Sequence, residues 1–162
     1  MVMLATLRRS GGIDALSRHL DMAPADGSAA ARDLLPHVLE LYRDRYQAAG
    51  GGIEGVAAVM RLLEPLGGNA LAFAIHQPEP IPDAQRAQVL AVLPGSAEGV
   101  AALVGEARRS SVVPAAQLEA VLPLLVMLVG GYLAARTETA RGAGEDIVAE
   151  FERLVSRESG RA

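Results

Sequence analysis

No cysteine and no lysine occur in the 162 residues of this chain, and aromatic residues make up only 3% of it. Each absence removes a class of chemistry. Without cysteine there is no disulfide scaffold, no Cys-ligated zinc, no iron-sulfur cluster and no thiol nucleophile. Without lysine there is neither a P-loop lysine nor a Schiff base, and all 15 basic residues are arginine. Three tyrosines and two phenylalanines, at net charge -4 and pI near 5.4, supply neither a base-stacking platform nor a basic face for phosphates. No nucleic-acid partner is expected. The most apolar charge-free run, residues 120–135, is shorter than the ~20 residues that cross a bilayer core, and it contains Pro123 and Gly130-Gly131. It is expected to be a helix buried within the protein rather than a membrane span. The apolar start, residues 1–7, is followed by Arg8-Arg9, whereas a secretory signal carries its charges first, so the expected location is cytoplasmic.

What the chain does hold is apolar surface: 51% hydrophobic residues against 21% charged, with a positive mean hydropathy. That composition excludes disorder, and a chain of this length buries roughly two thirds of its unfolded surface, enough for a single domain over residues 1–162. Apolar spacing is helical nearly throughout and no alternating run of β-branched and aromatic residues occurs, so the expected class is all-α and multihelical. The pattern is clearest in an amphipathic helix expected over residues 144–158, where Ile147, Val148, Phe151, Leu154 and Val155 share one face. Glu145 and Asp146 in its first turn and Arg157 in its last complement the helix dipole. Such a stripe either docks on its own core or fills a groove on a partner. Ile147, Phe151 and Leu154 are therefore the candidate protein-contact residues.

Glycine and proline divide the rest into pieces of helical length, at Gly11-Gly12, Gly50 to Gly52, Gly67-Gly68 and Pro94-Gly95. Pro78, Pro80 and Pro82 force extended backbone and withhold amide donors, which suits a connector. The expected organisation is a first half over residues 11–66, a connector with middle helices over 67–95, and a second half over 96–136. An internal repeat supports the two halves. A shift of 87 positions places residues 12–16 on 99–103, and Leu34-Leu35-Pro36 on Val121-Leu122-Pro123. In the same register Leu41 meets Leu128 and Ala48 meets Ala135. Each half reads as a short helix, a turn and a longer helix with an internal proline, which is expected to kink or restart there.

The two long helices differ in what faces away from their apolar side. Asp33, His37, Glu40 and Asp44 form one ionisable column on the first, whereas the second has Ala120, Leu124, Met127 and Gly131 at those positions. The first should have a solvated side and the second should be buried all round, with Gly130-Gly131 admitting a close neighbour. Asp33, His37 and Glu40 are also the candidate metal ligands, since histidine with carboxylates suits zinc, manganese or iron. The alternative is an ordinary charged face, because ligands from one helix leave the coordination sphere incomplete. His19, His37 and His76 are separated and have no partner arrangement for acid-base work, and no GxSxG elbow is present. No catalytic residue and no cofactor are therefore assigned.

Residues 15–24 (ALSRHLDMAP) and 29–36 (AAARDLLP) resemble the opening of the YidB-like bacterial family of unknown function. Residues 100–107, 117–123 and 124–133 (LLVMLVGGYL) resemble its closing segment, so the likeness covers roughly residues 11–135. The resemblance implies a multihelical fold in a cytoplasmic bacterial protein and carries over no activity. The middle of the chain departs from that family's long glycine-rich stretches. Together, many small packing residues and few reactive groups lead to the expectation of a non-catalytic helical protein-interaction module, self-association included. The alternative is a carrier that holds an apolar small molecule or lipid in a cavity between helices.

Overall fold

The computed structural model describes residues 2–156, which are all-helical, with nine α-helices and no strand among the described residues. In chain order they are α1 (Val2–Arg9), α2 (Gly12–His19), α3 (Pro24–Ala48), α4 (Gly52–Leu63), α5 (Ala70–His76), α6 (Asp83–Val92), α7 (Ala97–Arg109), α8 (Ala115–Gly142) and α9 (Ile147–Val155). A short 3-10 turn, Glu64–Leu66, follows α4. Arg157 and the last residues expected in the C-terminal helix lie outside the described residues.

The centre of the molecule is α8. Leucine, valine and methionine fill its middle, every residue from 121 to 131 is buried, and α2 to α7 and α9 all pack against it, α3 and α5 most extensively. Removing that much apolar surface from water is the dominant stabilising term of the fold, at roughly 1.5–3 kcal/mol for each large side chain. Neighbours come close because Gly130 and Gly131 carry no side chain. A Cβ at Gly130 would fall 2.5 Å from the Tyr42 hydroxyl, and one at Gly131 would fall 2.3 Å from the Ala72 amide nitrogen. The Tyr42 hydroxyl instead donates to the Val126 carbonyl at 2.7 Å, joining α3 to α8 in the interior. Burial pushes the Tyr42 phenol well above its ordinary pKa, because the charged form has no water there.

Both long helices pass through their proline without restarting: Pro36 lies inside α3 and Pro123 inside α8. The charge-free run of residues 120–135 therefore belongs to a 28-residue helix, long and apolar enough by length and composition to cross a membrane. The expectation that its shortness decides against a span is corrected on that point. In the structure, however, 72% of its most apolar 18-residue window is buried by the other helices.

The helix ends follow local chemistry. Ser96 caps α7 by accepting from the Gly99 amide at 3.0 Å, and Asp146 caps α9 by accepting from Val148 and Ala149. The residues with Pro78, Pro80 and Pro82 run between α5 and α6, held by buried Ile81.

Candidate functional site

The three candidate contact residues of the C-terminal helix sit in or against the molecule's own core. Phe151 is fully buried and stacks on Tyr46 with ring centroids 4.9 Å apart; Leu154 is 2% exposed, and Ile147 is half-buried against the same cluster. α9 packs on α1, α3, α4 and α8. Its position is fixed further by Glu150, which accepts from Arg153 on its own helix at 2.7 Å and from Arg136 of α8 at 3.1 Å. The Arg153 hydrogen bond, reinforced by Arg136, outweighs the desolvation of Glu150 and holds its carboxyl below the usual carboxylate range. As a surface offered to a partner, Phe151 and Leu154 are thus corrected: the apolar stripe is satisfied within the chain.

The candidate metal column is also placed differently. Asp33, His37 and Glu40 are half-buried, and only Asp44 is exposed. Asp33 accepts from the Ser111 hydroxyl and from Arg32, and Ser111 in turn accepts from the Val113 amide, so this carboxylate anchors the link between α7 and α8 onto α3. Among the described residues, no group of three histidine or acidic side chains is placed to hold a metal ion. His19 and His76 are each partly buried. The His19 Nε2 donates to the Ile75 carbonyl at 2.8 Å, and the His76 Nε2 lies 3.3 Å from the Tyr132 hydroxyl.

Two apolar recesses open on the surface. The first, about 470 Å³, lies between α5 and the proline connector and is lined by Leu66, Ala70, Phe73, Pro80 and Ile81 among others. Phe73 is 65% exposed at its edge, although Leu71, Ala72 and Ile75 on the same helix are buried. Sequence reading missed Phe73 because residues 70–75 are apolar at every position, which leaves periodicity no contrast to work with. A large aromatic on the short run before the prolines was the one available signal. The second recess, about 580 Å³, lies in the angle between α6 and α7 and is lined by Leu90, Val100, several alanines and Glu119 of α8.

Compared with known proteins, the chain matches no family model, no curated protein and no solved structure.

Proposed function

We propose that this chain is a non-catalytic helical interaction module and that its contact surface is the Phe73 edge of α5 with the proline connector. The observation that carries this reading is Phe73 itself, an aromatic ring left 65% exposed beside an apolar recess while Tyr42, Tyr46 and Phe151 are buried. Aromatic anchors set in apolar pockets dominate the energetics of protein contacts. Prolines at positions 78, 80 and 82 stiffen the rim, so little order is lost on docking.

The finer architecture belongs to the same proposal. α2 with α3, and α7 with α8, form two related helix pairs; Pro36 and Pro123 stand at equivalent places and bend the long helices around a shared core. The YidB-like resemblance, which spans both pairs, supports this arrangement and a cytoplasmic location. The cover over α8 supports its role as a core helix in water.

A photo-crosslinking residue at position 73 tests the contact surface. In cells it is expected to give one discrete adduct, either with a second copy or with a partner, while the same residue at exposed Glu152 gives none. Equal, diffuse labelling from both positions would overturn the proposal. A second reading, binding of an apolar small molecule, is favoured by the recess between α6 and α7 and not by the interior, where residues 121–131 of α8 are all buried.

A further inference from the structure

We infer that the recess between α6 and α7 is a binding site for a cationic amphiphile, an unbranched aliphatic chain ending in a primary ammonium, with Glu119 as the group that receives the charge. The inference rests on the small-molecule reading and is independent of the Phe73 surface.

The recess is built into the fold. α6 and α7 meet at 87° across a link of four residues, and both pack on α8. α6 is anchored inward by Val89 and Leu93, and its last turn is tied to α3 by the Arg45 guanidinium, which donates to the Val92 carbonyl at 3.1 Å. α7 is anchored by Leu103, Val104 and Ala107, and its first turn is closed by Ser96. With both walls fixed from behind, the angle between them exists before any ligand arrives, which lowers the ordering cost of binding.

Chemistry and size then select the occupant. The walls are aliphatic and short, Ala87 and Leu90 on one side and Val100 and Ala101 on the other, and the volume of about 580 Å³ lies within the range of small-molecule sites. No aromatic ring lines the recess, so nothing there favours a flat ligand. The Ser96 hydroxyl, which accepts from the Gly99 amide, adds a neutral polar group at the rim. Glu119 is the only charged side chain lining it among the described residues, and it is exposed on α8. Glu119 thus offers a negative charge with carboxylate acceptors, complementary to a cation that carries several N–H donors. An ammonium on an aliphatic chain meets both halves of the site.

Isothermal titration below the critical micelle concentration, with the whole chain and three probes, tests the inference. Decylammonium is expected to bind, decyl sulfate to bind at least tenfold more weakly, and octylammonium about four- to fifteenfold more weakly than decylammonium as two methylenes leave the recess. Glu119→Gln should lower decylammonium affinity about threefold and leave 1-octanol unaffected. Ala101→Trp, which fills the recess from an exposed position, should abolish binding of every probe; if it loses helicity by circular dichroism, Ala87→Trp blocks the opposite wall. Equal binding of decylammonium and decyl sulfate that both tryptophan variants abolish would overturn the choice of a cation while keeping the small-molecule reading. Binding unchanged by the tryptophan variants, or no binding of any probe, would overturn both. So would an Ala101→Trp variant that alters only the oligomeric state, since the recess would then be an interface between copies.

Discussion

α3 and α8 are long helices with an internal proline, yet one is two-sided and the middle of the other is enclosed. On α3 the buried positions, such as Leu34, Leu35, Val38 and Tyr42, alternate with the half-buried Asp33, His37 and Glu40 and the exposed Asp44. On α8 the residues 87 positions further on are Ala120, Leu124, Met127 and Gly131, and all but the first are buried. A proline in a helix interior therefore does not decide how the helix is used. What decides it is whether the face opposite the apolar stripe carries groups that must keep water or a partner. Asp33 illustrates the second option, since it gives up part of its solvation for the Ser111 hydroxyl.

The sharpest way to break the comparison is to exchange side chains at equivalent positions. Gly131→Val is expected to cost more than about 4 kcal/mol or to prevent folding, because the first added carbon already meets the Ala72 backbone at 2.3 Å. Asp44→Val at the matching place on α3 should stay within about 0.5 kcal/mol, both read from urea midpoints. Next in size, Met127→Ala should cost about 3 kcal/mol by leaving a cavity at a fully buried site, whereas Glu40→Ala should cost under about 1 kcal/mol. Tyr42→Phe removes the bond that joins the two helices and should cost about 1–1.5 kcal/mol in the same measurement, with helicity unchanged.

The smallest expected effect separates the ends of the helices. Glu150 pairs with Arg136 in the last third of α8, while the residue 87 positions earlier, Ala49, already lies past the end of α3. Because the folded-state pKa of Glu150 is lowered, its contribution is present above the unfolded value near 4.5 and is lost as pH falls through the folded value. Glu150→Gln should therefore lower stability by under about 1 kcal/mol at pH 7, and the difference from wild type should shrink as pH falls below about 4.5. A difference that does not shrink with falling pH would mean that packing, not charge, is what Glu150 supplies.

Much of the helical content is legible in the sequence, because apolar residues at helical spacing and paired glycines are local signals. The start of the last helix shifts slightly: Asp146, expected in its first turn, stands just ahead of α9 as its cap. The site is less legible, for a physical reason. An amphipathic stripe shows that a face must be covered and carries no information about what covers it. Ile147, Phe151 and Leu154 have the better pattern and are used inside the molecule; Phe73 lies in a run with no pattern and is the ring left outside. The Asp33 column shows the same limit, since its cover comes from Ser111, 78 residues away. Length misleads too, because a charge-free run need not end where its helix ends, as α8 demonstrates.

The enclosure of α8 also sets which parts of the molecule can move on their own. Amides in the middle of that helix can reach solvent only when the helices around it separate, so their hydrogen exchange should follow global unfolding. The short outer helices face no such restriction. α6, whose one buried helical residue is Val89 and which follows the prolines, should exchange through local openings that leave α8 protected. The chain is thus a fixed axle whose outermost helix opens on its own.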